Sequence, residues 1–233
     1  MNVKLLHAAP LELVVLAIRQ CYESFDRSDS YNEMLHYYTS MENIVKSYKS
    51  SVSPKFILGP KDKALILNII ESGHTSTLEH INITFKLEKF TRDVLQELSR
   101  HRHSSPSVKS SRYTLKELKD ETSFFNKNGI DIVKASKYVD LTNDDLLNVA
   151  IVTSIDAIRI ALRGGATNDE VKPVLPESYL VDAIFTINIR SLRNLLQLRT
   201  SKRAYHKIRN LVFAMYDAVP EEYKFMLEDC IQE

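Results

Sequence analysis

The chain is 233 residues long, 44% hydrophobic and 26% charged, with a formal net charge of +1. This is enough apolar material for one sizeable core or two small lobes sharing one. The near-balance of charge excludes a globally basic nucleic-acid binder and leaves room for a local basic patch. Gly59, Gly73, Gly129, Gly164 and Gly165 form neither GxGxxG nor GxxxxGK[ST], so a bound phosphate must be held by side chains and helix ends. Cys21 and Cys230 lie far apart and outside any CxxC spacing, which points to a reducing compartment rather than a disulfide framework. The N-terminus has no signal-peptide pattern, and no apolar run approaches the roughly 20 residues that span a bilayer. A soluble, cytoplasmic protein with no membrane partner is expected.

In chain order, Pro10 to Tyr22 reads as a helix with Pro in its first turn and apolar Leu11, Leu13, Val14, Val15, Leu16 and Ile18. Pro60 to Ser72 is a second helix, stopped by Gly73. From His80 to Glu88 the period changes. Ile81, Ile83, Phe85 and Leu87 alternate with polar residues, the pattern of a half-buried strand. Phe90 to Ser99 returns to helical spacing, with Thr91 as N-cap. Ser104 to Ser111 is polar, contains Pro106 and reads as a loop. Phe124 to Asp140 fits no single pattern. A long helix is predicted over Asn143–Arg163, with Thr142 as N-cap and Asp145 completing a capping-box variant, and Gly164-Gly165 ends it. Leu180 to Ile189 is the second strand, with Ala183, Phe185, Ile187 and Ile189 on one face. Helices are predicted from Ser191 to about Thr200, from Ala204 to Ala218, and from Pro220 to the end. Each strand leads into a helix and then a basic segment, a loose internal echo. The expected fold is α+β (α/β), one domain over residues 1–233, with mixed sheet segments and a helical bundle portion.

The densest chemistry lies at Arg100-His101-Arg102-His103, followed by Lys109 and Arg112. A solvated basic loop would look similar. Here, however, the cations are anchored to the preceding helix, interleaved with Ser104, Ser105, Ser107, Ser110 and Ser111, and closed by Tyr113. Hydroxyls and guanidinium groups together suit phosphate oxygens. A second set comprises Arg190, Arg193, Arg199, Lys202, Arg203, Lys207 and Arg209. Arg190 and Asn194 are four apart on one helical face, and Asn188 precedes them at the strand end. That trio suits amide and phosphate recognition, or Asn188 and Asn194 satisfy backbone groups at the junction. Two cationic sets in a nearly neutral chain imply a polyanionic small molecule, which arginine forks grip bidentately. His74, Glu79 and His80 match no common zinc spacing, and no metal is expected. A Ser/His nucleophile lacks a GxSxG elbow, and no activating His is placed beside either cysteine.

At these residues the sequence resembles the flavin-dependent thymidylate synthases. Their signature runs Arg-His-Arg, seven residues, Ser, one residue, Arg, usually then Tyr; Arg100-His101-Arg102, Ser110, Arg112 and Tyr113 meet it. His74 to His80 resembles the family's His-x-[Thr/Ser]-x-x-Glu-His segment. Asn188-Ile189-Arg190-Ser191-Leu192 with Asn194 and Arg199 resembles its Asn-x-Arg-Ser-Leu-x-Asn-x-x-x-x-Arg segment. Together these span about residues 60 to 210.

The resemblance implies an α/β homotetramer whose active sites draw on several subunits. It assigns FAD contacts to His74, Ser76, Glu79, Arg100, His101, Arg102, His103, Asn188, Arg190 and Asn194. It assigns dUMP contacts to Glu97, Val108, Ser110, Ser111, Arg112, Lys172 and Arg199. Arg199 would lie between the uracil and the flavin, and Ser110 would be a dUMP ligand rather than a nucleophile. The co-substrates implied are NADPH, which reduces the flavin, and 5,10-methylenetetrahydrofolate, which gives its carbon to dUMP without a cysteine adduct. Preorganised cations are the expected device for such anionic partners. The chain departs from the family at Ser107 and Val108, where Asn and Glu are common, at Glu97, where Gln is common, and at Lys172, where Arg is usual. Lysine keeps the charge and loses the bidentate fork. The rival readings are an RNA- or nucleotide-binding protein using the same cations and a structural helical subunit.

Overall fold

The two alternating segments are strands, and their apolar residues point into a buried core. The computed structural model describes residues 1–30 and 56–232. Its strands are β1 (Asn2–Ala8), β2 (Asn82–Thr91), β3 (Ser104–Val108), a small hairpin of β4 (Phe125–Asn126) and β5 (Gly129–Ile130), and β6 (Leu180–Asn188). The main sheet has the order β1-β2-β6-β3. Ile83, Phe85 and Leu87 on β2 and Val181, Ala183, Phe185 and Ile187 on β6 are buried at period two, each large side chain contributing about 1.5–3 kcal/mol by leaving water.

The helices described are α1 (Glu12–Cys21), α2 (Pro60–Glu71), α3 (Arg92–Ser99), α4 (Ser111–Thr114), α5 (Lys116–Lys119), α6 (Ile132–Ala135), α7 (Asp145–Arg163), α8 (Asn168–Val171), α9 (Ile189–Arg199), α10 (His206–Ala218) and α11 (Glu221–Lys224). Short 3-10 turns occur at Thr75–His80, Lys172–Val174 and Glu228–Cys230. The residues group into two compact units. The first is Met1–Lys4 with Lys86–Phe185; the second is Leu5–Phe85 with Thr186–Glu233.

In the first unit α5 packs on α7. Asp156 of α7 accepts the Phe124 N–H at 3.0 Å and pairs with Arg159 at 2.8 Å, while Arg163 donates to the carbonyls of Lys119 and Glu121. These bonds organise the irregular 119–125 segment. In the second unit α1 packs on α2 and on the 75–80 turn, and α9 packs on the same turn and on α10. Arg19 and Asp62 form an ion pair between α1 and α2, with side chains 7% and 0% exposed. Ser28 Oγ and the Ser30 N–H complete the shell around Asp62.

Several elements differ from the sequence expectation. Ser104–Val108 is a strand, not a loop. It lies at the sheet edge, where Pro106 forfeits no ladder bond within a central strand. β1 was not anticipated; its run VKLLHA alternates poorly and is only half-buried. Asp144, not Thr142, caps α7, accepting the Leu147 N–H at 3.0 Å. Thr142 instead bonds the Asp144 carbonyl and Asn148, so Asp145 opens the helix instead of occupying its third position. Thr91 ends β2 and is the N-cap residue of α3 as expected, but it directs its hydroxyl to the Asp93 carboxylate rather than to a backbone N–H. Phe124–Asp140 resolves into the β4–β5 hairpin, α6 and a bridge from Val139 to Tyr179. Pro220 opens only the single turn of α11, followed by the Glu228–Cys230 turn, and Glu233 lies outside the described residues. Arg193 captures the Met226 carbonyl there, in competition with helical pairing.

Burial pushes the pKa of Asp62 up, and the donors Ser28, Ser30 and Arg19 together outweigh it, so the net value falls below the ordinary 3.8. A carboxylate depressed in this way adds stability above its unfolded value, and that stability is lost as pH falls through the folded value. Asp62→Ala, which leaves Arg19 buried and unpaired, is expected to lower the unfolding free energy by about 3–5 kcal/mol. It should also reduce the dependence of stability on pH below about 4. Urea denaturation at pH 7 and pH 3 checks both.

Candidate active site

The basic run starts where α3 stops. Val94 and Leu98 bury one face of this helix, and Glu97 is half-buried on it. Arg100 is its C-cap. His101 is 7% exposed and its carbonyl accepts the Ser104 hydroxyl at 2.8 Å. Arg102 and His103 are exposed, and His103 has φ +60, a left-handed conformation uncommon outside glycine. The run is therefore a turn that reverses the chain into β3. Among the described residues no carboxylate is paired with Arg100 or Arg102, so both guanidinium groups stand ready for an external anion.

β3 delivers Val108 to a cavity of about 330 Å³ in the same unit. Ser110, Ser111, Thr114 and Lys172 line it with Val108, as do Arg92, Lys109 and Tyr179. The cavity thus gathers four of the residues assigned by resemblance to dUMP. Lys109 is held by Glu117 at 2.9 Å, and the same carboxylate accepts the Tyr179 hydroxyl at 3.2 Å. Burial first, then Glu117, pushes the Tyr179 phenol above its ordinary range, so this tyrosine stays neutral and acts as a donor. Arg112 follows on α4. Its Nε and Nη2 bond both oxygens of Asp169 at 3.0 and 3.1 Å, leaving the Nη1 edge to another acceptor. Asn168 donates to the Arg112 carbonyl at 2.6 Å and fixes its backbone.

Arg92 was not singled out in the sequence, yet among the described residues its buried Nε has no hydrogen-bond partner, and it lines this cavity. A buried guanidinium donor left unpaired is costly and implies an acceptor supplied from outside. A signal did exist. Arg92 opens α3, at the positive end of the helix dipole, where a cation is disfavoured.

The second group lies in the other unit. The 75–80 turn buries Thr77 and Leu78 and leaves His74, Ser76 and Glu79 exposed. Arg190 Nη1 donates to Glu79 Oε1 at 2.5 Å, joining two of the recognised segments across 111 residues of sequence. Asn188 caps α9, its Oδ1 accepting the Ser191 N–H at 2.8 Å. The backbone-satisfying alternative thus holds for its oxygen, and the amide nitrogen keeps its donors. Asn194 is exposed one turn after Arg190, and Arg199 is half-buried at the last residue of α9. Thr77 Oγ1 is buried without a partner among the described residues. Among the described residues no group of His, Cys, Asp and Glu could hold a metal ion, and no helix is long and apolar enough to cross a membrane.

The family described as thymidylate synthase complementing protein matches residues 4–223. A flavin-dependent thymidylate synthase of Campylobacter jejuni is 38% identical over 234 aligned positions, covering 100% of this chain and 99% of the relative. One from Helicobacter pylori is 36% identical over 228, covering 97% of each. A crystal structure of thymidylate synthase X from Helicobacter pylori with FAD and dUMP superposes with a TM-score of 0.82 at 35% identity and full coverage of both chains.

Arg92→Met removes a buried donor that has no partner among the described residues and that lines the cavity. It is expected to weaken binding of an inorganic phosphate probe in the cavity by about tenfold or more while leaving the melting temperature unchanged or raised. Calorimetric titration and thermal unfolding measure the two effects.

Proposed function

This chain belongs to the flavin-dependent thymidylate synthases, and we propose that it methylates dUMP to dTMP with FAD as bound cofactor, NADPH as reductant and 5,10-methylenetetrahydrofolate as carbon donor. The whole chain, residues 1–233, works as one synthase domain. The observation that carries the reading is the cavity of Arg92, Ser110, Ser111 and Lys172, in which a buried guanidinium Nε has no acceptor among the described residues. A nucleotide phosphate supplies that acceptor.

Arg92, Lys172 and the open edge of Arg112 hold the phosphate, and Ser110 and Ser111 add hydroxyl donors. Ser110 is a ligand and not a nucleophile, since no imidazole or carboxylate among the described residues hydrogen-bonds its hydroxyl. Lys172 holds the phosphate as a point charge where a guanidinium would grip it with a fork. Val108 takes no hydrogen bond at the place where many relatives have a carboxylate, so the pocket is less acidic on that side.

The residues also fit FAD. His74, Ser76, Asn194 and the amide nitrogen of Asn188 are donors for a ring system rich in carbonyls, and the unpaired Thr77 hydroxyl adds another. Arg100, His101, Arg102, His103 and Arg190 offer cationic or imidazole donors to a pyrophosphate, and Glu79 accepts from ribose hydroxyls. When bound, FAD supplies the hydride that completes the methyl group. Arg199 stabilises the negative charge that develops on the uracil during carbon transfer.

Neither cysteine takes part. Cys230 is buried, and desolvation pushes its thiol up to about 11, so thiolate is scarce at neutral pH. A homotetramer with shared active sites is consistent with apolar residues left exposed on α6 and α7, among them Val133 at 79% and Leu146 at 78%.

The deciding measurement is the visible absorption spectrum of the protein with FAD, before and after dUMP. A bound-flavin spectrum that shifts with dUMP is expected; absence of flavin binding would refute the reading, and RNA titration would follow. Lys172→Ala should raise the dUMP dissociation constant by about tenfold or more with little change for FAD. Equal loss of both would remove Lys172 from the nucleotide pocket. Cys21→Ser should keep kcat within about twofold, and a loss of 10²-fold or more would restore a cysteine mechanism.

A further inference from the structure

Helix α9 carries Arg190, Asn194 and Arg199, and the C-terminal segment fastens it at two points. Arg193 donates to the Met226 carbonyl and to both oxygens of Asp229, the latter at 2.6 and 2.5 Å. Thr200, the residue after Arg199, is fully buried although polar, and its polar atoms are all used. Its N–H and its hydroxyl both donate to the Leu196 carbonyl, at 2.9 and 2.8 Å. The hydroxyl accepts the Gln232 N–H at 2.9 Å. Its carbonyl accepts Arg209 Nε, also at 2.9 Å, and Arg209 is itself stacked over Phe213 at 5.4 Å.

No glycine follows α9 to end it in the left-handed conformation common at helix C-termini. Thr200, with φ −82 and ψ −17, stops the helix through its hydroxyl and the tail instead. Among the described residues, the end of α9 is thus held at Thr200 by two distant partners, Arg209 of α10 on its carbonyl and the Gln232 N–H on its hydroxyl.

We infer that Thr200, locked by the Gln232 N–H, is a positioning residue for Arg199, so that the C-terminal tail sets where the cation beside the reacting base stands. The inference rests on the role given to Arg199 above. Arg199 ends in a guanidinium on a long stem, so a small rotation of the last turn moves the charge by about 1 Å, a misplacement that costs about 10²-fold in rate. A role confined to stability would instead lower the melting temperature and leave turnover of the folded enzyme intact.

The test compares Thr200→Val, Thr200→Ser and Gln232→Pro in the full chain loaded with FAD. Valine keeps the shape and loses the hydroxyl. Serine keeps the hydroxyl. Proline removes only the donated N–H at an exposed position, and Ile231 before it is already extended at φ −77 and ψ 124, as a residue preceding proline requires. Turnover of dUMP to dTMP is measured well below each melting temperature, and the dUMP dissociation constant is read from the flavin difference spectrum. Thr200→Val and Gln232→Pro are expected to lower kcat by about 10- to 100-fold with the dissociation constant for dUMP within about threefold, while Thr200→Ser stays within about threefold of the parent. If Thr200→Val fails to fold, Gln232→Pro decides the matter alone. Unchanged kcat in Gln232→Pro, or equal loss in the serine and valine variants, overturns the inference. A parent enzyme that forms no dTMP with all co-substrates present overturns the functional reading as well, and the two failures are thereby told apart.

Discussion

The molecule depends on how two helices leave their strands. After β2, the first N–H groups of α3 are donated outward, from Arg92 to the Tyr179 carbonyl at 3.1 Å and from Asp93 to Glu177 at 3.2 Å. After β6, Ile189 donates to the Ile81 carbonyl at 2.9 Å. Tyr179 immediately precedes β6 and Ile81 immediately precedes β2, so the end of each strand is fastened beside the start of the other. Helix N-terminal N–H groups have no intrahelical partner, and here the neighbouring chain supplies one. The strand-to-helix-to-cation echo seen in the sequence is therefore a reciprocal backbone arrangement.

That arrangement decides where charge can be placed. With five glycines and no phosphate-cradling loop, the chain offers an anion side chains set at these junctions. Arg92 opens one helix and Asn188 caps the other. Placing Arg92 at a positive helix end and burying its Nε without a partner works against stability, by about 0.3–1 kcal/mol for the dipole alone. Under the proposed function, binding of an anionic nucleotide would offset this. Sites that violate local preferences in this way are where function is expected. The same logic explains Arg112, whose fork is half-occupied by Asp169 and so is held in orientation before a ligand arrives.

The second unit uses buried polar bonds to fix its helices. Arg19 and Asp62 hold α1 to α2, while Arg193 and Thr200 hold α9 to the chain end. Such pairs contribute little net stability compared with apolar packing, but losing one partner strands a desolvated group. They define geometry strictly, which suits helices whose exposed residues must meet a ligand at set distances.

The sequence alone determined the inward faces of β2 and β6, the long helix through Ile155 and Leu162, and the family, because period-two and period-3.6 patterns are local and the Arg-His-Arg signature is contiguous. It also placed Ser110, Ser111 and Lys172 together by resemblance, and the cavity gathers them. Four things were decided by contacts that only the structure shows. Ser104–Val108 became a strand because a sheet edge was available to accept Pro106. Asp144 displaced Thr142 as cap because Asn148 reaches back to the Thr142 backbone. The predicted C-terminal helix was broken by captures from α9, and Arg92 came to line the cavity together with Tyr179 and Val181. Three of them depend on partners dozens of residues distant and the cap exchange on a side chain six residues away, and no periodicity within a window of one element records them.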